Sequence, residues 1–182
     1  MKIIKVFSKL IAVVVAILVF AVIFWYSSTF LPYMDELGVI SERGNLSMGD
    51  NKKYFYRAVV AAESKDRIRS YAMRQAYWSL VYSNESKGNL KWHFNNALWY
   101  YASFVHLNDQ EVFGILVDCG LFFCGKGLNK ASSTYYGKKI VQLSNRELIG
   151  MAALVKSPSR YKPGSRFSEN RIKKIIEKLE DL

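Results

Sequence analysis

A long apolar run near the N-terminus constrains the fold of this chain more than any other feature. Residues 10–26 read LIAVVVAILVFAVIFWY, without a single charged side chain. A membrane-spanning helix requires about 20 apolar residues, with a lower limit near 17. The run, extended by the uncharged residues that follow it, therefore predicts a transmembrane segment at residues 10–31. Trp25 and Tyr26 stand near its outer end, where aromatic side chains favour the membrane interface.

The charges that precede this run predict its orientation. Lys2, Lys5 and Lys9 come before it without any acidic residue, and positively charged flanks stay in the cytoplasm. We therefore expect residues 1–9 to form a cytoplasmic tail, and the rest of the chain to lie outside a bacterial-type cytoplasmic membrane. A cleaved signal peptide is the alternative. It requires a shorter apolar core and a small-x-small cleavage site, which the exit sequence FWYSSTF does not offer.

The rest of the sequence is sufficient for one folded domain beside that membrane. Hydrophobic residues make up 51% of the chain, a proportion that excludes a disordered protein. About 150 residues follow the membrane segment, enough for one core. Pro32 and several glycines among polar residues predict a connector at residues 32–51, which leaves residues 52–182 for the domain.

The basic charge of the chain narrows the choice of partners. The formal net charge is +11, and a basic domain beside a bilayer is attracted to anionic lipid headgroups. Nucleic acid is the other usual partner of a basic domain. The predicted topology places the domain on the opposite side of the membrane from nucleic acid. We therefore expect contact with the membrane and no nucleic-acid binding.

Helix signals dominate the expected domain, and no alternating strand pattern of useful length is present. Ser144 and Glu147 form the capping box that begins a helix, and Asn108 with Glu111 forms a similar start. The fold class is therefore predicted to be mostly α. Further helices are expected at residues 52–64, 70–82, 92–106 and 130–136 and from residue 168 onward, with a turn at 83–89 and a glycine-containing loop at 120–127.

Two pairs of residues bear on disulfide and metal chemistry. Cys119 and Cys124 lie close together, and either a disulfide or two buried thiols would suit an exported domain. His93 and His106 form no recognised ligand spacing with the cysteines. We therefore predict no metal site from these residues.

Aromatic residues are concentrated in the helix expected at 92–106. Their first interpretation is a hydrophobic core, with part of the cluster in the membrane interface. Sugar stacking is the second interpretation. The residues are Trp92, Trp99, Tyr100, Tyr101 and Phe104.

Three segments in the second half of the chain share motifs with one enzyme family. Residues 143–163 combine a Leu-Ser cap, an alanine-containing helix and the sequence SPSRYKP, and residues 131–138 read ASSTYYGK. A glycine-containing loop at 125–127 precedes them. These segments resemble the family 51 glycosyltransferases, which are the peptidoglycan transglycosylase domains of penicillin-binding proteins and of monofunctional transglycosylases. The resemblance implies a substrate-binding role for Lys138, the last residue of ASSTYYGK.

A similar motif earlier in the chain concerns the catalytic base. Residues 58–64, AVVAAES, resemble the motif that presents the family's first catalytic glutamate. The resemblance assigns Glu63 as the general base, while Ser64 replaces the aspartate that normally follows. The apolar residues before Glu63 predict the apolar surroundings that suit a base. The alternative is an exposed structural glutamate near a helix end, paired with Lys65 or Arg67.

The family's substrate-binding motifs are less complete. The segment SYAMRQ resembles Ser-Thr-Ile-x-Gln-Gln: Ser70 and Gln75 match, and Arg74 replaces the first glutamine. Trp78 stands where a lysine usually follows, and the family's second key glutamate falls by spacing at Asn96. The resemblance implies substrate contacts for the matched positions and for Arg74 and Asn96.

The resemblance implies a lysozyme-like α domain that is partly inserted into the membrane and has a cleft in which lipid II is polymerised. A base takes the proton of the acceptor hydroxyl, and positive charge receives the departing pyrophosphate. In the family a divalent metal often assists, so the resemblance implies a divalent metal cofactor. Arg69, Arg74 and Lys91 are candidates to replace the missing charges, although solvated surface positions are an equal alternative for each.

Three functions remain open from the sequence. The first is a glycosyltransferase that polymerises lipid II with an eroded site. The second is a non-catalytic, membrane-anchored module that binds lipid II, glycan or another cell-wall synthesis protein. The third sets the resemblance aside and leaves a basic, membrane-anchored scaffold. The losses at Trp78 and Asn96 concern pyrophosphate binding, and they favour a retained fold with weak or absent turnover.

Overall fold

The structure, a computed structural model, describes the backbone of residues 2–82, 89–120 and 127–181. Within these ranges every regular element is helical and no strand occurs, which confirms the mostly α fold class. The chain forms two compact units, Met1–Asp35 and Glu36–Leu182.

The first unit is a long apolar helix. Helix α1, Lys2–Trp25, continues through a π-helical turn, Tyr26–Phe30, and a 3-10 turn, Leu31–Tyr33. Its apolar side chains are exposed at residues 7–24, with Phe20 at 70%. An uncovered apolar helix of this length has the properties of a membrane-spanning anchor, as the apolar run predicts.

Eight further α-helices follow in the described ranges. The predicted helix at 70–82 begins five residues earlier because the Ser64 side chain caps it, accepting a hydrogen bond from the backbone N–H of Arg67 at 3.4 Å. The last helix is capped by Ser165 and not by Ser168. The helices are α2 Met34–Ser47, α3 Lys52–Ala62, α4 Lys65–Leu80, α5 Asn89–His106, α6 Asp109–Cys119, α7 Leu128–Tyr136, α8 Asn145–Leu154 and α9 Arg166–Glu180.

The connector expected at 32–51 is mostly helical, and α2 forms most of it. One glycine of this segment makes a close helix contact: Gly44 in α2 lies against Gly114 in α6. A Cβ atom on Gly44 would be 2.0 Å from the carbonyl oxygen of Gly114, so only glycine permits the approach. Arg43 adds a bidentate contact to Asp118 across the same helix pair.

The core of the second unit lies between α3, α4, α5, α6, α8 and α9. Helix α4 packs along α6, and α3 packs against both α8 and α9. The largest fully buried side chains include Trp99, Tyr77, Phe55 and Phe113. Trp99 therefore belongs to the hydrophobic core, as predicted for the aromatic residues of this helix. Tyr101 on the same helix is 66% exposed.

Two helices begin at the capping boxes that the sequence predicts. The Ser144 side chain accepts from the Glu147 N–H at 3.3 Å, and the Glu147 carboxylate accepts from the Ser144 N–H at 2.8 Å. Asn108 and Glu111 form the same reciprocal pair at the start of α6. The predicted turn at 83–89 and loop at 120–127 lie almost entirely outside the described residues. The proposed pairing of Cys119 with Cys124 stays a prediction for the same reason.

Candidate functional site

Glu63 lies at the junction between α3 and α4. The chain leaves the helical conformation there, with φ −141° and ψ 152°, while the Glu63 N–H still donates to the carbonyl oxygen of Val59 at 2.8 Å. The next residue, Ser64, caps α4. This sharp exit turns the Glu63 side chain into the protein, where only 2% of it is exposed.

Two guanidinium groups donate hydrogen bonds to the Glu63 carboxylate, one to each of its oxygens. Arg171 from α9 contacts Oε1 at 2.5 Å and also donates to the carbonyl oxygen of Ala62 at 3.1 Å. Arg67 contacts Oε2 at 3.2 Å. The pairing with Arg67 follows the alternative interpretation of Glu63, but the glutamate is buried and not exposed. Lys65, the other partner considered, pairs with Asp109 at 2.8 Å.

Around this carboxylate the surface forms a groove of about 470 Å³. Its charged side chains are Glu63, Arg67, Lys156, Arg171 and Lys178, so four cations surround one carboxylate. Lys156 and Lys178 are exposed, and neither is paired with a carboxylate in the part of the chain that the structure describes. We name this region the cationic groove.

A second cavity of about 410 Å³ adjoins the groove at Lys156, which lines both. Helix α4 contributes Tyr71, Arg74, Gln75 and Trp78 to its wall, and α5 contributes Trp92. These α4 positions are spaced by three or four residues and therefore share one helix face. We name this region the aromatic cavity.

The structure brings some of the predicted site residues together. Glu63 lines the cationic groove, while Arg74 and Gln75 line the aromatic cavity beside it. Ser70 is exposed on α4 and is not part of either wall as described. Its predicted substrate contact, like those of Arg74 and Gln75, stays a prediction.

Two other predicted residues lie elsewhere. Asn96 is half-buried on α5, and its side-chain oxygen has no hydrogen-bond partner among the residues that the structure describes. Lys138 lies between α7 and α8, and its ammonium contacts the carboxylate of Glu147, in the first turn of α8, at 2.7 Å. This hydrogen bond, together with that from the Ser144 backbone, lowers the pKa of Glu147. The geometry gives Lys138 a structural partner, and its substrate role stays a prediction.

The cations that line the groove do not include Arg69, Arg74 or Lys91, which the sequence offers as replacements for the missing charges. Arg69 is 6% exposed and donates to the carbonyl oxygens of Ser103 and Leu107, each at 2.9 Å, so its guanidinium is already engaged. Lys156, Arg171 and Lys178 supply cations to the groove instead. The pattern of α9 reveals an apolar stripe and a basic face, but a contact between residues 108 positions apart leaves no local signal.

The residues around Glu63 do not fit a divalent cation. Both carboxylate oxygens already accept from guanidinium groups, and the remaining charged side chains of the groove are cations. Mg²⁺ and similar ions bind through oxygen ligands, usually with more than one carboxylate nearby. We therefore derive no chemical step through a metal.

Residues 124–180 match the family model described as transglycosylase. This part of the chain is transglycosylase-like. The match includes the segment ASSTYYGK, the capping box at Ser144 and the sequence SPSRYKP, so it confirms the resemblance where the motifs are most complete. Glu63 and the wall of α4 lie outside the matched residues. No curated protein and no solved structure matches the chain.

Proposed function

We propose that this chain is a membrane-anchored, transglycosylase-like protein of cell-wall assembly that binds lipid-linked glycan but turns it over weakly or not at all. One observation supports the loss of turnover more than any other. The candidate base, Glu63, is buried and has guanidinium groups on both of its carboxylate oxygens. A structural ion pair, and not a proton acceptor facing a substrate, is the arrangement that these contacts favour.

The position of Arg171 strengthens this proposal. A general base must reach the hydroxyl proton it removes, within about 2.6–3.2 Å, when the substrate is bound. Arg171 occupies Oε1, is only 14% exposed and is fixed by a second bond to the Ala62 carbonyl. Its movement away from Glu63 would leave a buried carboxylate partly unpaired, which is costly.

Binding, in contrast, is supported by the cationic groove. A lipid-linked sugar carries a pyrophosphate, and ammonium and guanidinium groups form strong charge-assisted hydrogen bonds to phosphate oxygens. Lys156 and Lys178 are exposed at the groove and available for such contacts. They supply positive charge of the kind that the family's lysine provides at the position of Trp78.

An active enzyme is the second candidate, and the exposure of Arg67 favours it. The Arg67 side chain is 62% exposed, so it can turn toward a bound phosphate and release Oε2 of Glu63. Glu63 would then accept the proton of the acceptor 4-hydroxyl while that oxygen bonds to the anomeric carbon. The bond from this carbon to the pyrophosphate oxygen breaks, and the groove cations receive the leaving group.

The proposed location follows from the anchor. The three lysines before the apolar run of α1 keep the N-terminus in the cytoplasm, and the domain faces the outer side of a bacterial cytoplasmic membrane. Lipid-linked glycan, glycan strands and other cell-wall synthesis proteins are accessible there. The membrane itself is the remaining partner, through α1.

Binding of lipid II by the full-length protein in lipid nanodiscs tests this proposal. The double variant Lys156→Ala/Lys178→Ala removes the two exposed groove cations, and we expect its affinity to fall at least about tenfold. The matched control is Lys173→Ala/Lys174→Ala, which removes two exposed lysines of α9 that are not in the groove wall. Equal affinity of the two double variants and the wild type would contradict binding in the groove.

A further inference from the structure

The aromatic cavity has the dimensions and wall of a small-molecule site. Its volume of about 410 Å³ lies within the usual range for ligand pockets, about 300–1,000 Å³. Three aromatic side chains, Tyr71, Trp78 and Trp92, form much of the wall. The other polar lining includes the Gln75 amide and two cations, so apolar faces and a few hydrogen-bonding groups converge on one space.

The aromatic rings are held in place from behind. Tyr82 is 8% exposed, and its ring centroid lies 4.9 Å from that of Trp78 and 6.3 Å from that of Trp92. It therefore connects one wall residue on α4 with another on α5. Trp78 remains 39% exposed, so a fixed indole is presented to solvent. Rigid aromatic groups bind with little loss of conformational entropy.

The distribution of charge separates the two halves of the site. Four cations concentrate in the cationic groove, whereas the aromatic cavity has Arg74 and Lys156 beside three ring systems. A pyrophosphate prefers the first environment because each of its oxygens accepts hydrogen bonds. A pyranose ring suits the second, because its C–H faces pack against aromatic rings while its hydroxyl edges bond to amide and cationic donors.

We infer that the aromatic cavity binds a pyranose ring of cell-wall glycan, by stacking on Trp78 with Gln75 and Arg74 at the hydroxyl edges. This assignment rests on the proposed function and deepens it. Trp78 stands where the resembling family has a lysine, so a stacking contact takes the place of a charge contact. The protein therefore binds glycan that carries no pyrophosphate, such as a finished strand, as well as the lipid-linked form.

Isothermal titration of the full-length protein in nanodiscs with chitotetraose tests this assignment. Chitotetraose is a neutral β-1,4-linked oligomer of N-acetylglucosamine and has no phosphate. We expect saturable binding that Trp78→Ala weakens at least about tenfold and that Trp78→Phe largely retains. Tyr101→Ala is the matched control, since it removes an exposed aromatic ring of α5 outside the cavity wall, and it should bind as the wild type does.

Three results would overturn the assignment. They are the absence of chitotetraose binding by folded wild type, unchanged binding by Trp78→Ala, and displacement of the sugar by inorganic pyrophosphate. Circular dichroism before titration verifies that each variant is folded, and the exposure of Trp78 favours this. Undisturbed sugar binding in the presence of pyrophosphate supports separate subsites.

The same variants distinguish this assignment from the proposed function. Lys178 lines only the groove and Trp78 lines only the cavity. If Lys178→Ala weakens lipid II binding while no protein binds chitotetraose, the proposed function stands and the sugar assignment fails. If Trp78→Ala weakens chitotetraose binding and Lys178→Ala leaves lipid II affinity unchanged, the sugar assignment stands. The proposed pyrophosphate contact in the groove is then wrong.

Discussion

The buried ion pair between Glu63 and Arg171 is a contact whose loss has a calculable cost. Arg171→Met keeps much of the side-chain length and removes the guanidinium at 2.5 Å from Oε1. The Glu63 side chain is 2% exposed and that of Arg171 is 14% exposed, so the carboxylate stays buried with Arg67 as its remaining ionic partner. Breaking a buried pair costs about 3–5 kcal/mol. Because Arg67 remains, we expect about 3 kcal/mol, near the lower limit of that range.

Thermal unfolding of the purified full-length protein in detergent measures this cost. For a domain of this size, about 3 kcal/mol corresponds to a fall in Tm of about 6–12 °C. Arg67→Met is the matched control: its side chain is 62% exposed, and surface pairs contribute less than about 1 kcal/mol. A fall in Tm for Arg171→Met no larger than that for Arg67→Met would contradict a stabilising buried ion pair between Glu63 and Arg171.

A double-mutant cycle isolates the interaction itself. Glu63→Leu leaves Arg171 with its buried guanidinium uncompensated, and it should therefore also destabilise the protein. The double variant Glu63→Leu/Arg171→Met removes both charges, and a buried pair replaced by apolar groups often loses little stability. We expect it to be more stable than the sum of the single effects indicates. Strict additivity would show that the two side chains do not interact.

Three further predictions address the fold and the topology. Ser144→Ala removes the side-chain cap of α8, and we expect the free energy of unfolding in denaturant titrations to fall by about 1 kcal/mol. The control Ser159→Ala, in the exposed segment after α8, should change it little. Gly44→Ala places a Cβ 2.0 Å from the Gly114 carbonyl oxygen and should lower the free energy of unfolding by at least about 2 kcal/mol. The control Gly38→Ala has nothing within 4 Å of its new Cβ and should be neutral or stabilising; equal effects would refute the close helix contact. A reporter enzyme that is active only outside the cytoplasm should work when fused after Leu182, and activity of a cytoplasmic reporter alone would reverse the proposed topology.

Local interactions explain which parts of the fold are visible in the sequence. The capping boxes at Ser144 and Asn108 involve residues three positions apart, so the helix starts were predicted and are confirmed. The apolar run of α1 is equally local. The start of α4 was missed because Ser64 was interpreted as the end of the preceding helix, although its side chain caps the next one.

Contacts between distant segments explain what the sequence could not show. Gly44 is a loop signal in isolation and becomes a helix-contact residue only once α6 lies against α2. Arg171 is one cation among many on a basic amphipathic helix, and its position over Glu63 depends on the packing of α9 against α3. The functional interpretation of Glu63 therefore changes with a residue that no local pattern identifies.

Glycan polymerisation by the purified full-length protein, supplied with lipid II, tests the central claim most directly. We expect the wild type to form little or no polymer under conditions in which an active transglycosylase assayed in parallel does. Glu63→Gln should leave that low rate unchanged. Robust polymer synthesis by the wild type, reduced about 10²–10⁴-fold by Glu63→Gln, would contradict the account and establish Glu63 as the general base.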